Sequence, residues 1–193
     1  MIIITSMGLD LKPILTHTSI KLNDLSNKII AVDAFNTIHQ FLATIRGSTG
    51  ELLANSHGEI TSHLSGLFYR NINLLAEGIK LVYVFDGVSS PLKTNEIQRR
   101  HQIKEIATEK YEKALIQGKL EEARKYSQAT SVLTNKMIEE SKRLLSLLGI
   151  PTIQAPSEGE ATAANLTNTD LVHICASQDY DSILFGARRL VRN

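Results

Sequence analysis

Six acidic residues of this chain stand at or shortly after the ends of short apolar segments, where they could do chemistry together. They are Asp33, Asp86, Glu158, Glu160, Asp179 and Asp181. Carboxylate oxygens in this number suit Mg²⁺ or Mn²⁺, and a shared cluster can hold two ions. Two ions about 3.5–4 Å apart stabilise both the attacking water and the leaving oxygen of a phosphodiester. Because carboxylates packed so closely without cations would raise one another's pKa, the pattern favours metal-assisted hydrolysis.

Each acidic residue also has a simpler explanation when it is taken alone. Asp33 could cap the helix that follows it, and Asp86 could belong to an ordinary turn with Gly87. Residues 157–160 fit a capping box, and residues 179–181 could form a solvated loop. The metal interpretation therefore depends on the joint arrangement, in which a carboxylate follows each of four apolar segments.

The elements that must position these carboxylates are strands that alternate with helices. Four apolar runs have the length of buried strands: residues 28–33, 81–86, 150–155 and 171–176. Helical spacing or a capping residue indicates helices over residues 35–46, 61–78 and 137–148, and a further helix from Ser157. This order predicts an α/β fold with a mostly parallel central sheet flanked by helices. Ligands of such sheets bind outside the carboxyl ends of the strands, so the six carboxylates are expected at one edge.

A segment of different character runs from Lys93 to Ala129. Its charge is dense and its helical pattern is interrupted at Gly118, which predicts a projecting helical insertion that buries little apolar surface. Lys93, Arg100 and Lys104 are seven and four residues apart, so they would share one face of a helix. Such a basic face could hold a phosphate near the acidic edge, and a solvated charged helix is the alternative.

The composition excludes several other classes of protein. The net charge of +1 does not by itself indicate a nucleic-acid partner, so any DNA-binding surface must come from local clustering. Cys175 is the single cysteine, which predicts no disulfide framework and an intracellular, reducing location. No apolar run reaches the roughly 18–20 residues of a membrane span. Glycine-rich phosphate loops, a nucleophile elbow and zinc-ligand histidine spacing are absent, and Phe35 stands where a haloacid-dehalogenase-like phosphatase has a second Asp.

Several motifs together resemble the flap endonucleases of archaea and eukaryotes. They are Met7-Gly8, Asp33-Ala34, residues 61–70, Val82-Tyr-Val-Phe-Asp-Gly87, Ala155-Pro-Ser-Glu-Gly-Glu-Ala161 and Ser177-Gln-Asp-Tyr-Asp-Ser182. The similarity runs from Met7 to Asn193, and the last three motifs are highly specific.

This resemblance implies a PIN-like 5′-nuclease fold with a helical arch. The expected parts are a nuclease region over residues 7–90, the arch over 91–134 and a second nuclease region over 135–193. The implied activity is that of a structure-specific 5′-flap endonuclease and 5′–3′ exonuclease in DNA replication and repair. It would use two Mg²⁺ ions, which Mn²⁺ could replace, with the six carboxylates as ligands.

The resemblance also implies how the chain would bind its partners, branched DNA with a 5′ flap and a sliding clamp. Lys93 and Arg100 would grip the scissile phosphate. The expected DNA contacts are Gly8, Arg46, Arg70, Lys93, Arg100 and Lys104.

Three features depart from the family pattern. His39 stands where relatives often have an aromatic residue that stacks on a base, and residues 1–6 precede Met7, which could be the true start. The family continues beyond the position of Asn193 with a further metal-binding Asp, a duplex-gripping element and a clamp-binding tail, so we expect poor cleavage by these residues alone. Two other functions remain open: a non-catalytic fragment that binds DNA junctions and needs a separate C-terminal half, and a single-strand ribonuclease, against which the charged insertion argues.

Overall fold

The computed structural model describes residues 14–88 and 94–192, and it leaves out the side chains of residues 94–98, 100 and 101. Within these residues the chain forms two compact units. One comprises residues 14–37, 71–88 and 149–192, and the other comprises residues 38–70 and 94–148.

The first unit is built on a parallel sheet of five strands in the order β3-β2-β1-β4-β5. The strands are β1 Ile29–Asp33, β2 Lys80–Phe85, β3 Thr152–Gln154, β4 Ile174–Ala176 and β5 Leu190–Val191. The helices of the described chain are α1 Ala34–Thr44, α2 Ser62–Ala76, α3 Thr94–Ile116, α4 Leu120–Ser127, α5 Asn135–Leu147, α6 Gly159–Leu166 and α7 Asp181–Leu184, and a short 3-10 helix covers Leu22–Leu25. This architecture confirms the predicted α/β fold with a parallel sheet and flanking helices.

Strand β2 shows why the sheet is buried on both faces. Val82 and Val84 point to the face that α6 covers, where they pack in a cluster with Ala163 of that helix. Tyr83 and Phe85 point to the opposite face and are also buried. A strand that is apolar on both faces is typical of a parallel sheet covered by helices.

The second unit contains the charged helices of the sequence. Gly118 separates α3 from α4 with a φ of +70°, a conformation that glycine adopts without strain. The two helices contact each other, and Ala107 and Ala114 of α3 and Ala123 of α4 are buried. The predicted interruption at Gly118 is confirmed, whereas the projection of this segment and the predicted division into three parts stay predictions.

Some local features of the structure differ from the prediction or were not predicted. Helix α6 begins at Gly159 rather than at Ser157, and β4 begins at Ile174 rather than at Leu171. Strand β5 was not predicted, because two residues that pair with β4 have no pattern of their own. No helix in the described ranges is long and apolar enough to cross a membrane.

Candidate metal centre

The parallel sheet brings the predicted acidic residues to its carboxyl edge. Asp33 is the last residue of β1, Asp86 follows β2, Glu158 precedes α6 after β3, and Asp179 follows β4. We call these residues, with Glu160 and Asp181, the carboxylate edge. Strands β2 and β3 lie on one side of β1, whereas β4 and β5 lie on its other side, so the direction of the strand order reverses between β1 and β4. Open α/β sheets commonly bind ligands at such a point, and Asp33 and Asp179 lie on either side of it.

Asp33 lies deepest at this edge, with only 6% of its surface exposed. Burial raises the pKa of its carboxyl, although the main-chain N–H of Asn36 donates to Oδ1 at 3.0 Å and lowers the pKa. The negative charges of Asp86, Glu160 and Asp179 also raise it, and the combined effect places the pKa of Asp33 at about 7. The bond from Asn36 also means that Asp33 caps α1, so capping and metal binding are compatible roles for this residue.

Glu160 is held by Ser182, the last residue of the Ser177–Ser182 motif, to which the sequence assigned no role. The main-chain N–H and the hydroxyl of Ser182 both donate to Glu160 Oε1, at 2.9 and 2.6 Å. Burial raises the pKa of the Glu160 carboxyl, and the charges of Asp179 and Asp181 raise it too, against the lowering effect of Ser182. The capping-box explanation is wrong, because α6 begins after Glu158 and the carboxylate of Glu160 bonds to Ser182.

Asp86 links the end of β2 to the start of α6. Its Oδ1 accepts a hydrogen bond of 2.7 Å from the main-chain N–H of Gly159, the first residue of the helix, where negative charge is stabilised. A Cβ on Gly159 would lie 2.8 Å from this oxygen and 3.0 Å from the carbonyl oxygen of Val84. Glycine is therefore required here by the close approach of helix and strand.

Asp179 is tied to the first strand by a side chain. The Nδ2 of Asn36 donates to Asp179 Oδ2 at 3.0 Å. Between Asp179 and Asp181, the ring of Tyr180 packs under the guanidinium of Arg192, whose central carbon lies 3.9 Å from the ring centroid. The roles of Asn36 and Ser182 could not be recognised from sequence, because each side chain bonds to a carboxylate that is distant along the chain.

The carboxylate edge fits divalent cations in donor chemistry and in charge. All six side chains offer oxygen, which Mg²⁺ and Mn²⁺ prefer. A cation would also relieve the repulsion that, in addition to burial, raises the pKa of Asp33 and Glu160. In the described ranges, no three His, Cys, Asp or Glu side chains stand so that they could hold one ion without moving.

The predicted basic and DNA-binding residues lie in varied surroundings. Gly8 and Lys93 lie outside the described residues, and Arg100 lies in α3 with its side chain outside them. Lys104 is half-buried in α3, and burial lowers the pKa of its ammonium group. None of these positions tests the predicted contacts with DNA, which stay predictions.

Two further predicted DNA contacts, Arg46 and Arg70, make bonds within the second unit. The Nε and Nη1 of Arg46 donate to the carbonyl oxygens of Leu42 and Gly50, both at 2.9 Å. Arg70 donates to Gln40 Oε1 at 3.1 Å and lies over the ring of Phe41. His39, the departure from the family's aromatic residue, is exposed on α1.

Comparisons with known proteins agree with the resemblance seen in the sequence. The XPG N-terminal domain matches residues 5–107, and the XPG I-region matches residues 149–193. The chain is 60% identical to Flap endonuclease 1 of Nitrosopumilus maritimus over 97% of this chain and 55% of that protein. The structure resembles the flap endonuclease-1 of Methanococcus jannaschii with a TM-score of 0.72 and 41% identity, over 96% of this chain and 59% of the other.

A second solved structure, the catalytic core of Rad2 in complex with DNA substrate, matches with a TM-score of 0.65 and 35% identity over 90% of this chain and 46% of the other. The chain spans about half the length of the curated relatives it matches. The family models cover most of the described residues, including every member of the carboxylate edge. The chain therefore belongs to the XPG family, together with the flap endonucleases.

Proposed function

We propose that the carboxylate edge holds two divalent cations and that the protein hydrolyses a phosphodiester of branched DNA at the base of a 5′ flap. The observation that carries this proposal is the meeting of carboxylates from four strand ends at one edge of a parallel sheet. Membership of the XPG family supports it, because that family generally uses divalent metals.

The residues of the chain have distinct parts in this proposal. The carboxylate edge would bind the ions, with the orientations of Asp33, Asp86 and Glu160 set by their hydrogen bonds to the protein. Two bound Mg²⁺ ions, or Mn²⁺ in their place, would lower the pKa of a water and balance charge on the leaving oxygen. Ionised carboxylates are needed for this, so a cation would have to overcome the raised pKa of Asp33.

The DNA substrate is proposed from the relatives rather than from a feature of the sheet. Relatives that are 50–60% identical are named Flap endonuclease 1, and the Rad2 core is solved with a DNA substrate. Lys93 and Arg100 are proposed to contact the scissile phosphate, since a cation there stabilises charge that develops during the reaction. Gly8, Arg46, Arg70 and Lys104 are proposed as further DNA contacts, and the sliding clamp as a protein partner.

A role in binding DNA junctions without cleavage is the second candidate. The observation that favours it is the similarity to the Rad2 core, whose solved structure contains a DNA substrate. Both candidates predict binding to branched DNA, so only a cleavage assay separates them.

The test measures cleavage of a 5′-flap duplex, a blunt duplex, single-stranded DNA and single-stranded RNA, in Mg²⁺ and in EDTA. Because the chain covers 55% of the Nitrosopumilus maritimus relative, it is assayed both alone and joined to the remaining part of that relative. Asp86→Ala removes a member of the carboxylate edge. Asp24→Ala is the matched control, because the exposed Asp24, in the 3-10 helix, also accepts a hydrogen bond from a main-chain N–H, that of Lys21, at 2.8 Å.

The proposal predicts Mg²⁺-dependent cleavage at the flap junction, lost in Asp86→Ala and kept in Asp24→Ala. Flap binding without cleavage in both forms of the protein would establish the binding role instead. Preferential cleavage of single-stranded RNA would overturn the proposed substrate.

A further inference from the structure

Asn36 makes two hydrogen bonds that connect the carboxyl ends of the neighbouring strands β1 and β4. Its main-chain N–H donates to Asp33 Oδ1 at 3.0 Å, and its side-chain Nδ2 donates to Asp179 Oδ2 at 3.0 Å. Asp33 ends β1, whereas Asp179 follows β4, and these two strands are neighbours in the sheet. One residue in the first turn of α1 thus contacts two carboxylates that are 146 residues apart in the chain.

The local structure explains how one side chain can do this. Asn36 is the third residue of α1, where a main-chain N–H has no partner within the helix and can bond to the residue that caps it. Its side chain is half-buried and carries two amide donors. The neutral amide donates to a carboxylate without adding charge to the site. A lysine or an arginine in this place would add a positive charge.

These bonds act on groups that repel each other. The charge of Asp179 is one of those that act on Asp33, so the two carboxylates are close enough for their charges to interact. Without a fixed donor, such carboxylates would turn apart when ionised. A donor that holds one oxygen of each limits their rotation and keeps both at the edge.

We propose that Asn36 is a positioning residue, which presets Asp33 and Asp179 to bind the same divalent cation. The inference rests on the proposed function, since it concerns how the carboxylate edge binds metal. Partners that orient metal ligands in this way typically change metal affinity by 10- to 100-fold when they are removed. Ser182 orients Glu160 alone, whereas Asn36 acts on carboxylates from two different strands.

The test measures Mn²⁺ binding to the chain without DNA, by calorimetry and by the electron paramagnetic resonance signal of free Mn²⁺. Asn36→Ala removes the side-chain donor and keeps the main-chain N–H, and Asn36→Leu removes it while filling a similar space. Asn168→Ala is the matched control, because Asn168 also donates a side-chain amide bond, to Gly186 O at 3.1 Å, in the same unit. Melting in EDTA checks that each variant is folded.

We expect both Asn36 variants to bind Mn²⁺ about tenfold more weakly than the unmodified chain. The control should keep its affinity, and all the variants should melt cooperatively in EDTA. Unchanged Mn²⁺ affinity in both Asn36 variants would overturn the positioning role while leaving the proposed metal site intact. If the unmodified chain bound no Mn²⁺, the metal site itself would be overturned, and this inference with it.

Discussion

The carboxylate edge and the charged helices α3 and α4 carry similar side chains in opposite surroundings. At the edge, Asp33 is buried and Glu160 is bonded to Ser182 from another element. In α3, Glu109 is exposed and pairs with Lys113 one turn away at 2.5 Å. The two regions thus share residue types and differ in burial. They also differ in whether the partner of a carboxylate comes from another element or from the same helix.

Because their surroundings differ, carboxylates in the two regions differ in pKa and in their contribution to stability. Burial and like charges raise the pKa of Asp33, because water no longer stabilises its ionised form. An exposed pair such as Glu109 and Lys113 is screened by water and salt and contributes little to stability. Clustered acidic residues at a sheet edge therefore indicate a cation site, whereas alternating charges along a helix indicate solvation.

The largest expected difference between the regions is in activity. Asp179→Ala should lower Mg²⁺-dependent flap cleavage by a factor on the order of 100 or more, because it removes a proposed ligand where charge develops. Lys113→Ala, in α3, should leave the cleavage rate unchanged within error. Single-turnover rates on a 5′-flap duplex measure both, and a similar loss in the two variants would remove the distinction between the regions.

The second largest expected difference between the regions is in the loss of stability when a glycine is replaced by alanine. Gly159→Ala would force a Cβ against Asp86 and the main chain of Val84, which should destabilise the fold by about 2–3 kcal/mol. Gly118→Ala meets no atom within 4 Å and should cost about 1 kcal/mol, from its positive φ alone. Urea unfolding of the two variants measures the difference, and equal losses would mean that the fit between α6 and β2 is looser than described.

The pH dependence of stability should also differ. The pKa of Asp33 is raised from its ordinary value of 3.8 to about 7, so the folded protein keeps a proton that the unfolded chain releases. In EDTA, stability should therefore fall as the pH rises from about 4 to 7 and stay low above that range. Asp33→Asn should melt about 5 °C higher than the unmodified chain at pH 8 and should lose most of this advantage near pH 4.

The matched variant for this prediction is Glu109→Gln in α3. Lys113 lowers the pKa of Glu109, so the sign is opposite, and any stabilisation would be lost at low pH. Because the pair is exposed, we expect no measurable change in melting temperature at pH 8. A stabilising effect as large in Glu109→Gln as in Asp33→Asn would show that overall charge, rather than burial of Asp33, is responsible.

The smallest expected difference between the regions is in the free energy of local unfolding. Helices α3 and α4 bury small side chains such as Ala107 and Ala123, so their segment should open more readily than the sheet. Limited proteolysis should cut first between about Pro91 and Thr134, and a flap duplex should protect that stretch. Mass spectrometry of the first fragments checks this, and first cuts inside β2 or β4 would contradict it.

The main positions of the edge could be predicted from local patterns. The apolar runs that end at Asp33 and Asp86 are long enough to identify β1 and β2, and parallel pairing then places both residues at one edge. No distant contact has to be known for this placement, because parallel strands end on the same side of the sheet.

What could not be predicted depends on distant partners. Asp86, which follows β2, accepts a hydrogen bond from Gly159 at the start of α6, so the local capping pattern at Ser157 was misleading. The bond from Asn36 to Asp179 links residues 143 positions apart, and no spacing rule detects it. Arg46 likewise bonds to its own loop, which composition cannot reveal.

The proposed metal centre is tested most directly by the melting temperature of the unmodified chain, measured as a function of Mg²⁺ concentration at pH 8. The control series contains NaCl at matched ionic strength. If the carboxylate edge binds divalent cations in the folded state, Mg²⁺ should raise the melting temperature in a saturable way that NaCl does not reproduce. Asp33→Asn should start from a higher melting temperature and gain less from Mg²⁺. A melting temperature that does not move with millimolar Mg²⁺ would contradict the proposal that these carboxylates form a metal centre.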